Sequence, residues 1–200
     1  MTKTGTIYGI NGPIVYVKGD AGFEMHEMVT VGKDSLVGEV IGLSAQSTTI
    51  QVYEETTGIK PGETVTGSGA PVSAVLAPGI LSNIFDGIER PLKEIAKTGG
   101  AYIPRGVNVD SLDREKLWDT HITVKKGEQL LPGAIIAEVP ETPAIVHKVM
   151  LPPDLEGYVT DVVADGKYTI DDRLLTLQLP GGTERDITMT QRWAIRGPRA

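Results

Sequence analysis

The chain has 200 residues, 22% of them charged and 40% hydrophobic, with a formal net charge of −7, the balance of an ordinary globular protein built as one large domain or two small ones. An acidic surface with only 5% aromatic residues argues against nucleic acid as a partner, since it repels phosphate and offers few stacking faces. Cysteine is absent, which excludes disulfides, thiolate metal sites and a cysteine nucleophile and fits a cytoplasmic setting, and no apolar run approaches the ~20 residues of a bilayer span, so no direct membrane insertion is expected.

Glycine and proline punctuate short β-branched runs in the first part, the pattern of a small closed barrel. Strands are predicted at 6–10, 14–18, 28–31, 36–43 and 48–52, with Gly12-Pro13 turning the first into the second. From Ala70 to about Gly100 the period changes. Ile80, Leu81, Ile84, Phe85 and Ile88 recur as one helical stripe opening at Pro78, and Pro91–Lys97 predicts a second short helix ending at Gly99-Gly100. A turn is expected at Asp113–Trp118. Strands then resume at 121–124, 134–139, 145–150, 157–163, 168–170, 174–179 and 186–189. Gly-containing turns such as 126–133 and 164–171 lead into them, as in barrel-sandwich hybrids.

Motifs for chemistry are missing. A phosphate loop needs G-x-x-x-x-G-K-[ST], but Gly166-Lys167 is followed by Tyr168 and has Asp161 in place of the first glycine. Gly67-Ser68-Gly69 lacks the third glycine of a dinucleotide fingerprint and runs into Pro71. His26, His121 and His147 are scattered, and none has a second ligand at metal spacing, so structural or surface roles are expected for all three. Glu54-Glu55 and Asp171-Asp172 read as solvated turn charges, because neighbouring residues of an extended chain face opposite ways. Lys148 sits in a β-run without the tip turn of a biotinyl or lipoyl carrier, so an ordinary strand lysine is the better reading. The residues therefore name no catalytic, cofactor-binding or metal-binding side chain, and no cofactor is expected in this chain.

Two phrases carry a resemblance. Residues 50–63 (IQVYEETTGIKPGE) and 76–92 (LAPGILSNIFDGIERPL) resemble the end of the N-terminal barrel and the following linker of the catalytic A subunit of archaeal-type and vacuolar-type rotary ATPases, with Ala77 where that family usually has Gly. Further matches are Arg105–Val107, Leu112–Trp118, His147–Pro153 and Met189–Trp193, in the right order along nearly the whole chain. The resemblance implies a mainly β fold: an N-terminal barrel at 1–69, a helical connector at 70–105, an inserted β-rich bulge domain at 106–193 and a tail at 194–200. It also implies that the phosphate loop, the catalytic Glu, ATP and Mg belong to parts of the family subunit beyond Ala200. The partners it implies are the non-catalytic B subunit, other A subunits and the peripheral stalk, in a complex where this chain would be cytoplasmic and peripheral to the membrane. The alternatives are a stand-alone interaction module and a carrier domain. Residues 80–88 are expected to leave an apolar stripe exposed and to promote weak self-association.

Overall fold

The computed structural model describes residues 3–99, 103–107 and 109–196. The described residues divide into two compact units, one of residues 3–74, 87–99, 103–107, 109 and 193–196, the other of 75–86 and 110–192.

In the first unit β1 (Thr4–Asn11), β2 (Ile14–Lys18), β3 (Glu27–Val31), β4 (Leu36–Leu43), β5 (Ser47–Val52) and β6 (Thr64–Pro71) form a closed barrel in the order β1-β2-β5-β4-β3-β6. Every neighbouring pair is antiparallel, and β6 closes the barrel by pairing with both β1 and β3. The period-2 alternation sends Ile7, Val15, Val17, Val29, Val31, Leu36, Val40, Ile50, Val52 and Val65 into one apolar interior. Each of these side chains contributes roughly 1.5–3 kcal/mol of burial. The closing strand is absent from the sequence-based expectation, because its run TVTGSGAP offers one large apolar residue, Val65, against two glycines and a proline.

The second unit holds two four-stranded sheets. One runs in the order β11-β10-β8-β13, from β8 (Trp118–Ile122), β10 (Ile135–Thr142), β11 (Ile145–Met150) and β13 (Gly166–Tyr168). The other runs β15-β14-β12-β9, from β9 (Gln129–Leu130), β12 (Gly157–Val162), β14 (Leu175–Gln178) and β15 (Glu184–Ile187). A second core, with Trp118, Leu130, Ile136, Val139, Val149, Leu151, Val159, Leu174, Leu175, Leu177 and Met189, lies within this unit. The first strand here begins at Trp118, not at His121, and the last ends at Ile187, with Met189 buried just beyond it. A further pair, β7 (Ser73–Leu76) with β16 (Gln191–Ala194), forms a two-stranded ribbon.

Only one of the two predicted helices forms. α1 (Leu92–Gly99) follows Pro91, whose carbonyl accepts the Glu94 and Ile95 amides. Glu94 lies in its first turn, Lys97 in its last, and the two side chains pair at 2.6 Å. Gly100, in the predicted stop, lies outside the described residues. The stretch from Pro78 to Ile88 is a chain of turns. A helix would offer the Gly79 carbonyl to the Asn83 amide, but Ser82 Oγ (3.2 Å) and Asn83 Nδ2 (3.1 Å) take it instead. The Leu81 and Ser82 amides are held by Glu141 Oε1 at 2.8 and 3.1 Å. The expected stripe is broken up accordingly: Ile80 and Phe85 pack on the core of the second unit, while Leu81 and Ile84 are exposed. At 113–118 the chain bends without forming a helical turn, Asp113 Oδ1 accepting the Glu115 and Lys116 amides.

Candidate functional site

The chemistry of the first unit is concentrated on three buried carboxylates. Glu39 has outward parity on β4, since its register neighbours are Met28 and Gln51, yet its side chain is fully buried. Three groups cover it. Arg196 donates from Nε to Oε1 at 2.9 Å and from Nη2 to Oε2 at 3.0 Å, a bidentate pair. His26 Nδ1 donates to Oε1 at 2.8 Å, and the Tyr53 hydroxyl donates to Oε2. Burial alone would raise the Glu39 carboxyl, but the bonds from Arg196, Tyr53 and His26 outweigh it and hold the group down at about 2. For Tyr53, burial and the adjacent carboxylate act together and push the phenol up to about 12.

Glu27 has the parity of Val29 and Val31 and turns into the barrel's end, 1% exposed. Its Oε2 accepts the Glu24 amide at 2.7 Å and pairs with Lys3 at 3.3 Å, while Oε1 accepts the Gly69 amide at 2.8 Å. Gly67 packs so closely here that a Cβ would lie 2.3 Å from Glu27 Oε1 and 3.0 Å from the Phe23 ring. The Gly67-Ser68-Gly69 phrase thus serves an internal carboxylate from within β6.

Glu54 corrects the reading of a solvated turn charge, for its side chain is only 8% exposed. It accepts the Gly106 amide at 3.0 Å through Oε2 and faces Arg90 Nη1 at 3.5 Å through Oε1. Arg105 pairs with Asp34 at 3.6 Å nearby, so the segment after α1 is pinned to the barrel by charge. Its neighbour Glu55 is exposed and accepts from Thr57, and in the second unit Asp171 pairs with Arg114 at 2.6 Å while Asp172 accepts the Thr169 amide.

In the second unit, as in the first, the histidines direct Nδ1 at carboxylates. His121 lies 2.6 Å from Asp165 and His147 lies 3.4 Å from Glu141, whose carboxylate is buried. Burial lowers the His147 imidazole, and Glu141 opposes that only in part. Asp165 is held below its ordinary value by the Ile122 amide and then by His121. Asp119, Thr120, His121, Pro140, Asp165, Gly166 and Lys167 line an open groove of about 360 Å³. The Thr120 hydroxyl donates to the Trp118 carbonyl at 3.0 Å rather than to the His121–Asp165 pair. Lys167 lies in β13, 3.9 Å from Asp119. Lys148 stands mid-strand in β11 opposite Glu138, away from the hairpin tip, as an ordinary strand lysine does. Among the described residues no three His, Asp or Glu side chains converge as a metal site, and no helix is long and apolar enough to cross a membrane. Sequence reasoning missed the carboxylate anchors, because most of their partners lie far along the chain, as Arg196 lies 157 positions from Glu39 and Gly106 lies 52 from Glu54.

Two models of one family match this chain: the ATP synthase alpha/beta family beta-barrel domain over residues 7–69 and the ATP synthase alpha/beta subunit barrel-sandwich domain over 109–196. The V-type ATP synthase alpha chain of Halothermothrix orenii is 48% identical over 199 residues, covering 100% of this chain and 34% of that protein. The A subunit of the A-type ATP synthase of Methanopyrus kandleri is 46% identical over 195 residues, and that of Pyrococcus horikoshii 43% over 199, covering 98% and 100% of this chain and 33% and 21% of those proteins. The chain thus spans about a third of the length of the first two relatives and a fifth of the last. Its closed barrel and its second β unit fall where the two domain models match, and the chain belongs to the ATP synthase alpha/beta family, carrying the barrel and barrel-sandwich domains of an A-type or V-type A subunit.

Proposed function

We propose that this chain is the assembly portion of the catalytic A subunit of a proton- or sodium-translocating A-type or V-type ATP synthase, cytoplasmic and peripheral to the membrane. In this reading ATP and Mg are bound by other parts of the subunit, and these two units hold neighbouring proteins in register. The observation that carries it is the apolar surface each unit turns to solvent. On the barrel, Tyr8 is 52% exposed and contacts Tyr16 at 6.1 Å between ring centroids, while Ile41 and Leu43 are exposed on β4. In the second unit the edge strand β11 exposes Ile145, Val146 and Met150, and Ile135, opposite Met150, is exposed with it. An apolar edge strand invites pairing unless a partner covers it, and aromatic side chains of this kind are enriched at protein interfaces. The exposed residues on opposite sides of the barrel, Tyr8 on β1 and Ile41 and Leu43 on β4, are assigned to neighbouring A and non-catalytic B subunits, and the β11 edge to the peripheral stalk.

The test is made in the complete A subunit mixed with its B subunit and stalk, followed by native mass spectrometry. Ile41→Asp is expected to prevent the hexamer, whereas Val146→Asp is expected to leave the hexamer intact and lose the stalk. Wild-type assembly of both variants would overturn the proposal.

A further inference from the structure

We propose that the barrel carries a guanidinium seat, formed by Glu39, Tyr53 and His26, which Arg196 occupies as a releasable latch on the segment after β16. This goes beyond the assembly reading and does not depend on it.

Three observations carry it. First, the acceptor is built into the barrel. His26 donates to one oxygen of the Glu39 carboxylate and Tyr53 to the other, and each oxygen keeps one lone-pair direction for the guanidinium fork. Secondly, the occupant is peripheral: the Arg196 side chain is 52% exposed, although the carboxylate beneath it is fully covered. Covering by a half-exposed side chain is what a lid does, and a planar fork matches a carboxylate where a lysine ammonium would make a single contact. Thirdly, the same histidine organises the backbone of the latch. His26 stands in the left-handed region at φ 65°, uncommon for a residue with a side chain. In that conformation its amide donates to the Val40 carbonyl (2.9 Å) and its carbonyl accepts the Val72 amide (3.2 Å). The Val72 carbonyl in turn accepts the Ile195 amide at 3.1 Å. One residue therefore supports both the side-chain seat and the backbone step that brings residues 195 and 196 to the barrel.

The test uses the 200-residue chain and its Arg196→Ala and Arg196→Lys variants. Hydrogen exchange is expected to show the Ile195 amide opening roughly tenfold more readily in Arg196→Ala, a change of ~1.4 kcal/mol, and no slower in Arg196→Lys, while the amides of β4 and β5 keep their protection. In Arg196→Ala the seat is empty but formed, so millimolar propylguanidinium should shift the His26 imidazole resonance saturably and propylammonium at equal ionic strength should not. Equal shifts with both cations, or none with either, would overturn the seat. Unchanged exchange at Ile195, or loss of β4 and β5 protection together with it, would overturn the latch.

Discussion

Gly67→Ala puts one methyl group against the buried Glu27 carboxylate of the barrel. The new Cβ would lie 2.3 Å from Glu27 Oε1 and 3.0 Å from two Phe23 ring carbons, so the carboxylate has to move. Moving it strains two short amide bonds, from Glu24 at 2.7 Å and Gly69 at 2.8 Å, and the pair with Lys3. Each bond to a buried charged acceptor contributes about 1.5–3 kcal/mol, and alanine returns roughly 0.5–1 kcal/mol by restricting the unfolded chain. The net expectation is a loss of about 3 kcal/mol, or a fall of ~12–24 °C in the barrel's melting temperature. Hydrogen exchange at Val29 and Val31, whose strand pairs with the Gly67 strand, reports on the barrel apart from the second unit. The decisive measurement is a double-mutant cycle with Glu27→Ala. If the clash with the carboxylate is the cause, Gly67→Ala should be much milder in the Glu27→Ala background, leaving a coupling of at least ~1 kcal/mol. Additive effects would refute the reasoning and place the strain at Phe23.

Glu39 carries a pH signature. Its folded value, about 2, lies below the ordinary 4.5, so its contribution is present above the ordinary value and is lost as pH falls from about 4.5 toward 2, an acid slope that Glu39→Gln should flatten in urea unfolding of the barrel. Glu54→Ala removes the acceptor of the Gly106 amide and the charge facing Arg90, with an expected loss of about 2–3 kcal/mol and faster exchange at Gly106 in the same samples. Titration calorimetry of the 200-residue chain with Mg-ATP is expected to give no saturable heat, since its glycine phrases form turns and strands rather than a phosphate loop; a micromolar dissociation constant, equivalent to about 8 kcal/mol of binding, would contradict this.

Local signals are enough for much of the fold. The strands 14–18 and 36–43 are found at their predicted bounds; in the first, side-chain period and burial agree residue by residue. Strand 64–71 is hidden because its pairing partners, not its own residues, make it a strand: β1 and β3 lock its register although its sequence is glycine-rich. The stripe at 80–88 misleads for the complementary reason. Its apolar spacing is helical, but Glu141, 60 positions away from Leu81, captures the amides, and side chains capture the Gly79 carbonyl. Periodicity reports burial along one segment, and neither failure could be seen in it: one comes from strand pairing with distant segments, the other from Glu141 together with the local Ser82 and Asn83 side chains.

The same distance rule explains why the carboxylates escape a sequence reading, and it changes the meaning of the net charge. Glu27, Glu39, Glu54 and Glu141 are buried, and each ties a connecting segment to a β framework: residues 3 and 24 and the end of β6, the residues after β16, the segment after α1, and the turns at 81–82. A buried carboxylate with one partner removed loses several kcal/mol, whereas an exposed ion pair such as Lys97–Glu94 is worth a few tenths. Part of the −7 is therefore internal wiring that fixes where loops leave and rejoin the sheets. Because an ionised carboxylate accepts from several donors at once, one side chain can gather two backbone amides and a cation from separate stretches of chain. A mainly β protein with long connections needs such junctions, since a strand ladder satisfies only its own amides. On this argument, acidic residues should resist neutral substitution in proportion to the segments they gather, with Glu27 and Glu39 most sensitive and Glu94 least.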